Sequence, residues 1–260
     1  MKLPISVLIA TKNEEANIEK CVRSVQDWAC EVLVVDSHST DRTGSIATNL
    51  GCRVINYHGG IMYPKKRQWA LDNLDIKGEW IFLLDADEEV PTSLWDEISL
   101  SIRDQDISAL FIKKAFHFMG RKFRFGGFSH AALLLFRKGC ARFEDLGEYD
   151  VSGLDMEVHE RLLYSGASAT LKCAVKHDDF KGLSAYIDRH NKYSTWEATI
   201  RHNLFVKNSY GSDAIIPKFF GNTQERRRYL KLIIIKLPFE PLIWFFYHYI
   251  IFFFITSFPF

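Results

Sequence analysis

Over the first hundred residues, short β-branched runs alternate with stretches whose apolar residues recur at helical spacing. That alternation predicts an α/β fold, a mostly parallel sheet covered by helices. Ile5 to Ala10 reads as the first strand. From Glu14 to Ala29 the positions Ile18, Cys21, Val22, Val25 and Trp28 share a helical face, with Asn13 placed to cap it. Glu31 to Val35 and Arg53 to Tyr57 read as the second and third strands. Between them lie a polar turn, Ser39 to Thr43, and a short helix, Gly44 to Leu50, ended by Gly51. Pro64 suits the first turn of the next helix. Trp80 to Leu84 is a buried fourth strand that runs straight into Asp85-Ala86-Asp87. Ser93 to Arg103 reads as a helix, with Ala109 to Ala115 and Ala132 to Phe136 as further strands. From Leu183 the pattern turns helical, and Leu183, Tyr186, Ile187, His190, Tyr193 and Ala198 share a face. The boundary falls near Lys181 and Gly182, giving an α/β body of residues 1–181 and a helical extension of residues 182–260.

Composition narrows the class of function. With 47% hydrophobic residues in 260, the chain has ample material for a packed core. Thirty-three basic residues face 32 acidic ones, and the net charge of +1 gives no global field for a polyanion, so nucleic acid is not an expected partner. Cys21, Cys30, Cys52, Cys140 and Cys173 are scattered and form no C-x-x-C pair, as free thiols in a reducing compartment would be. Nothing in the first ten residues suggests a secretory signal, and with the scattered thiols a cytoplasmic body is the expectation.

In open α/β sheets, ligands bind beyond the carboxyl ends of the strands. Three polar clusters fall there: Thr11-Lys12-Asn13-Glu14, Asp36-Ser37-His38-Ser39 and Asp85-Ala86-Asp87. Neither G-x-G-x-x-G after the first strand nor G-x-x-x-x-G-K-[ST] occurs, which argues against dinucleotide oxidoreductases and P-loop ATPases. Asp85 and Asp87 offer hard oxygen ligands to Mg²⁺ or Mn²⁺, and such an ion binds diphosphate oxygens on its open side. Taken alone, the same spacing also describes an acidic, solvated turn, its commoner meaning.

The ordered set I-S-V-L-I-A-T-K-N-E-E, V-V-D-S-H-S-T-D-R-T and L-L-D-A-D resembles the nucleotide-sugar half of family 2 glycosyltransferases, which have the GT-A fold. The resemblance implies a nucleotide-sugar half over residues 1–90 and an acceptor half over residues 91–181. It implies that Thr11, Asn13 and Glu14 line the nucleoside pocket, that Asp36 bonds the base, and that Asp87 is the principal metal ligand, with Asp85 nearer the ribose or sugar and also offered to the metal. His38 stands where the family commonly has Gly, in a turn that favours positive φ, which His tolerates better than most residues. Lys65, Lys66 and Arg67 lie where the family places a basic residue towards the donor diphosphate; a solvated helix face fits them equally.

The second half resembles a narrower subgroup, bacterial lipopolysaccharide-core and exopolysaccharide transferases, through M-E-V-H-E-R-L at 156–162, H-D-D-F at 177–180 and H-N-K-Y-S at 190–194. The zinc-protease pattern H-E-x-x-H is not met, because Leu163 stands at its last position. His177 is either a further metal ligand or a structural histidine. Inverting transfer needs a general base on the acceptor side. Asp155, Glu157, Glu160 and His159 are the nearby candidates, and the resemblance selects Glu160, with Glu157 as the alternative and His159 beside it. Arg121, Lys122 and Arg124, interleaved with Phe123 and Phe125, fit either an anionic acceptor or an ordinary basic strand.

Arg226-Arg227-Arg228, Lys231 and Lys236 precede an apolar, aromatic run from Leu242 to Phe260 that contains no Asp, Glu, Lys or Arg. Its length is near the roughly 20 residues that cross a bilayer. Pro238, Pro241, His248 and Pro259 favour an interfacial or re-entrant segment equally, and burial in a homo-oligomer is a third reading. The expectation is a metal-dependent, hexosyl-type inverting transferase at the cytoplasmic face of the inner membrane. Its donor would be a nucleotide-diphosphate sugar such as a UDP-sugar, its cofactor Mn²⁺ or Mg²⁺, and its acceptor a lipid-linked or lipopolysaccharide-type saccharide. Two rivals stand beside it: transfer to polyprenyl phosphate, and a non-catalytic scaffold that binds nucleotide sugar.

Overall fold

In the computed structural model of this protein, which describes residues 2–59, 63–123, 131–145, 161–178, 182–202, 215–221 and 223–246, β1 (Leu3–Thr11) runs between two parallel neighbours. These are β2 (Ala29–Asp36) and β4 (Trp80–Asp85), and β3 (Arg53–Asn56) adds outside β2, also parallel. Helices cover both faces of such a sheet, so its strands bury alternate residues into two cores. Val7 and Ile9 join Val34, Phe82 and Leu84 on one face, with Ile18 and Val22 from α1 (Ile18–Arg23) and Leu94 and Ile98 from α4 (Thr92–Ser101). Leu8, Leu33, Val35, Ile81 and Leu83 fill the other, against Ala70 of α3 (Lys66–Asn73). A short α2 (Thr43–Asn49) joins β2 to β3 and ends before Gly51 at φ 80°.

The parallel order stops at β4. There β8 (Ala131–Arg137) pairs antiparallel with both β4 and β6 (Ile107–Phe118), and β6 then pairs in parallel with β11 (Ala167–Asp178). The two-residue β5 (Glu88–Glu89) closes the far edge antiparallel to β11, and β7 (Arg121–Lys122) folds back on β6. The expectation of a mostly parallel sheet therefore holds for residues 1–90 and gives way to mixed pairing beyond them. Partway along, β11 advances from Thr170 to Ala174 while β6 advances only from Phe111 to Lys113. The backbone N–H groups of Lys172 and Cys173, freed by that irregularity, donate to the Glu97 carboxylate of α4 at 2.8 and 2.9 Å.

The first helix is shorter than its periodicity predicts, because Ser24 is diverted. Its carbonyl accepts from the Trp95 indole at 2.9 Å and its hydroxyl accepts from Val90 N–H at 3.1 Å, so residues 24–28 form turns. Asn13 is not the cap; it sits at φ 55°, and Asn17 precedes the helix.

A second, two-stranded sheet pairs β9 (Ala141–Phe143) with β10 (Leu162–Tyr164). Glu144, fully buried just after β9, donates its own N–H to Arg161 O at 2.9 Å, and its carboxylate accepts from Arg161 N–H at 3.1 Å. The same carboxylate accepts from Ile215 N–H at 3.0 Å and pairs with Arg228 at 2.6 Å, which docks α6 (Thr223–Ile235).

Helix α5 (Gly182–His202) matches the expected helical onset, but its expected apolar face is not the buried one: Leu183 and Ile187 are exposed, and Trp196 is buried, with the Lys65 ammonium 4.9 Å from its ring centroid. A short α7 (Glu240–Phe246) follows α6. No helix among the described residues is long and apolar enough to cross a membrane, and most of the run to Phe260 lies outside them.

Candidate active site

The loops after β1 and β2 are braced against each other. The buried Asp36 carboxylate accepts from Thr11 Oγ1 at 2.8 Å, from Ser39 N–H at 2.7 Å and from Ser39 Oγ at 2.5 Å. Asn13 N–H also donates to Ser39 Oγ and Glu14 N–H to Thr43 Oγ1, while Thr40 N–H donates back to Asn13 Oδ1, all at 2.7–2.8 Å. His38 takes the left-handed conformation at φ 52°, so the turn that Gly would favour forms here with His, whose ring packs edge-on against His58 at 4.6 Å. Thr11, Asn13, Glu14 and Asp36 thus meet at one place, as their strand-end positions predict.

Lys66 and Arg67 do not form a solvated face. Lys66 is buried and its ammonium donates to Thr11 O at 2.8 Å, fixing the end of β1. Arg67 pairs with Asp85 Oδ1. Asp85 Oδ2 takes Lys114 of β6 at 2.9 Å. Burial alone would raise the Asp85 pKa, but Lys114 and Arg67 hold its carboxyl well below the usual carboxylate range.

Glu88 and His177 are directly opposite partners in the β5–β11 ladder, so the turn after Asp87 carries Glu88 back against the far strand. His177 Nδ1 lies 3.5 Å from Asp87 Oδ1 and 3.5 Å from Glu88 Oε1, and the ring stacks on Phe116 at 5.3 Å. Glu88 is fully buried; its Oε2 accepts from Asp85 N–H at 3.0 Å and its Oε1 pairs with Lys114 at 2.7 Å. Burial pushes the Asp87 pKa up to about 6, with Asp85, Glu88 and Glu14 adding to the rise and His177 opposing it. Burial would lower the pKa of His177, but Glu88 and Asp87 raise it.

One ligand atom each from Asp85, Glu88 and His177 lies within 4.8 Å of the others, a group able to hold a metal ion. Asp85 is the weakest of these as a ligand, because both its oxygens already pair with cations. Asp87 is the better one: its Oδ1 and the facing His177 Nδ1 are buried and make no hydrogen bond. Buried polar atoms without partners carry a penalty that a bound ion would remove. On α5, Tyr193 feels the same charges: burial raises the pKa of its phenol, Arg189 opposes, and Asp85 and Asp87 add to the rise.

Glu88, Lys114 and Tyr193 were not among the residues singled out for chemistry in the sequence. Glu88 directly follows D-A-D and Tyr193 lies in the H-N-K-Y-S stretch, so both had a local signal. Lys114 had none beyond its strand. Glu160, Glu157, His159 and Asp155 lie outside the described residues, as does Arg124, while Arg121 and Lys122 are exposed on β7.

Comparison with known proteins follows the same division of the chain. The sequence profile of Glycosyl transferase family 2 matches residues 6–132. An uncharacterized glycosyltransferase of Rickettsia bellii is 42% identical over 102 residues, 39% of this chain and 34% of that protein. The chain thus spans about a third of the length of the Rickettsia relatives it matches. The lipopolysaccharide core biosynthesis glycosyltransferase LpsC of Rhizobium meliloti is 28% identical over 204 residues, covering 76% of this chain and 71% of LpsC. Glucosyl-3-phosphoglycerate synthase of Mycobacterium tuberculosis, solved with Mn²⁺, UDP and glucosyl-3-phosphoglycerate, aligns over 44% of each chain at 25% identity and a TM-score of 0.35. The strands and loops that present Thr11, Asp36, Asp85, Asp87, Glu88 and Lys114 all fall inside the matched segment, and over residues 6–132 this chain carries a family 2 glycosyltransferase domain.

Proposed function

We propose that this chain transfers a sugar from a nucleotide-diphosphate donor, with inversion, and holds Mn²⁺ or Mg²⁺ through Asp87, Glu88 and His177. The observation that carries the reading is the facing pair of unbonded, buried atoms, Asp87 Oδ1 and His177 Nδ1, beside the Glu88 carboxylate at the end of β4. The two carboxylates suit either ion, and the imidazole favours Mn²⁺, the more tolerant of nitrogen ligands. When bound, the ion supplies positive charge to the departing diphosphate. Thr11, Asn13, Glu14 and Asp36 form the braced wall for the nucleoside, and Lys66 keeps the end of β1 in place. Arg67 and Lys114 hold Asp85 ionised, available to sugar or ribose hydroxyls through its remaining lone pairs.

The acceptor hydroxyl loses its proton as it attacks the anomeric carbon. Glu160, next to the Arg161 that Glu144 anchors, is the carboxylate proposed for this step, with Glu157 the alternative. Glu160→Gln preserves shape but not basicity, so transfer to a hydroxyl acceptor should fall by about 10²-fold or more with donor affinity near normal. If Glu160→Gln and Glu157→Gln both stay active, the acceptor is an already ionised phosphate.

We place the acceptor at a membrane surface, as a lipid-linked or lipopolysaccharide-type saccharide. Exposed Leu230, Ile233, Leu237, Phe239, Phe245 and Phe246 lie along α6, α7 and the turn between them, with Arg226, Arg227 and Lys231 exposed on α6. Apolar surface rimmed by cations suits anionic lipid, and the LpsC relative is named for lipopolysaccharide core biosynthesis. A panel of nucleotide sugars assayed for Mn²⁺-dependent hydrolysis tests the whole reading. One donor should be turned over only with metal, and a chain that binds a donor yet turns over none, with metal and lipid extract present, is a scaffold instead.

A further inference from the structure

Lys114 pairs with two carboxylates of the acidic cluster at once, Asp85 and Glu88. Its ammonium sits 2.7 Å from Glu88 Oε1 and 2.9 Å from Asp85 Oδ2, with the side chain 18% exposed. On β6 it stands two residues before Phe116, and these two pair with Val175 and His177 of β11, so Lys114 shares the face that carries the His177 ring. The oxygen it occupies on Glu88 is the same Oε1 that faces His177. A divalent ion held by Glu88 and His177 must therefore share that oxygen with a cation already in place.

We propose that Lys114 makes metal binding conditional on the nucleotide, keeping the affinity for a free divalent ion low until a diphosphate arrives. The inference rests on the metal site assigned above. Three carboxylates, Asp85, Asp87 and Glu88, face two full cations, Arg67 and Lys114. A divalent ion alone leaves this enclosed group with an excess positive charge, which is costly away from water. A nucleotide diphosphate brings at least two negative charges and removes that excess, so ion and nucleotide favour each other. Without Lys114 the ion alone balances the carboxylates, and the nucleotide then adds uncompensated negative charge. The residue thus strengthens the coupling between the two ligands and weakens the binding of the first to arrive.

Coupling of this kind is reciprocal: the factor by which UDP tightens Mn²⁺ must equal that by which Mn²⁺ tightens UDP. The test is titration of Mn²⁺ into the full chain at pH 8, followed by the electron paramagnetic resonance of free Mn²⁺, with and without saturating UDP, and with GDP in parallel. For the wild type the Mn²⁺ dissociation constant should fall by about tenfold or more with nucleotide, within the usual range of such couplings. Lys114→Met should bind Mn²⁺ alone about tenfold more tightly than the wild type and gain less from nucleotide, whereas Lys114→Arg keeps the charge and the wild-type coupling. A wild type that binds Mn²⁺ equally with and without nucleotide overturns the proposal, and needs no variant that folds. So does a Lys114→Met protein that binds free Mn²⁺ no more tightly than the wild type. A wild type that binds UDP or GDP but no Mn²⁺ under any condition overturns the metal site itself, a different result from metal bound without coupling.

Discussion

Asp36 ends β2 and Asp87 lies two residues beyond β4, the strands that flank β1 in the parallel part of the sheet, yet the chain treats them in opposite ways. Asp36 accepts three hydrogen bonds from Thr11 and Ser39 and ties two loops together. Asp87 keeps a buried oxygen unbonded and faces a histidine across 3.5 Å. One carboxylate braces the loops of the site; the other has a buried oxygen left over, the property that the metal proposal draws on. Two acidic residues beside strand ends are chemically alike, and only their partners tell them apart.

The largest expected effect comes from removing the waiting carboxylate. Asp87→Ala should lower metal-dependent turnover by about 10²-fold or more, since even residues behind metal ligands are worth 10- to 100-fold. The fold should gain from the same change. Burial raises the Asp87 pKa, so the ionised form is disfavoured in the folded chain; that penalty is complete above about pH 6 and absent below the ordinary Asp range. Metal-free Asp87→Ala should therefore melt at or above the wild-type temperature at pH 7.5, and a clear drop in melting temperature would make Asp87 a brace after all.

Asp36→Ala should do the reverse, leaving Thr11 and Ser39 donors without acceptors. A loss of about 2–4 kcal/mol in stability is expected from urea unfolding. Unchanged stability would show that the two loops hold each other without it.

Acidification sharpens the contrast. Metal competes with protons for Asp87 and for His177, and both pKa values are raised. Mn²⁺ affinity should weaken as the pH falls, first as His177 takes up its proton and more steeply below about pH 6, where Asp87 protonates too. Calorimetric titration at pH 5 and 7.5 reads this directly, and equal affinities would remove Asp87 from the site.

The smallest effect is expected at the turn beside Asp36. His38→Gly relieves a left-handed φ but loses the contact with His58 and loosens the unfolded chain, so stability should change by no more than about 0.5 kcal/mol. A larger loss on urea unfolding would mean that the His38–His58 contact itself holds the two loops in place.

The donor side was legible because each cluster follows its strand in the sequence: Thr11 ends β1, Asp36 ends β2, and Asp85 ends β4. Their convergence follows from parallel pairing alone. The opposite side depends on register that no local pattern carries. His177 reaches Glu88 only because β11 is irregular between Thr170 and Ala174 and because Glu97, on a different helix, satisfies the two freed amides. Lys114 lies in an apolar strand whose alternation says which face it takes but not that carboxylates wait there. The shortened first helix was hidden for the same reason, since Ser24 is claimed by Trp95 and Val90 from far along the chain.

Glu144 sets how freely the chain between β9 and β10 can change. Because its own backbone and side chain both bond the Arg161 backbone, residues 144 and 161 are held together at a point that also fastens α6. The closure entropy of a connection between two fixed ends grows by only about 0.6 kcal/mol for each doubling of its length. Insertions between residues 145 and 161 would then leave β1, β2 and β4 undisturbed. Chain length can then change behind a single clasp while the parallel part of the sheet is inherited intact.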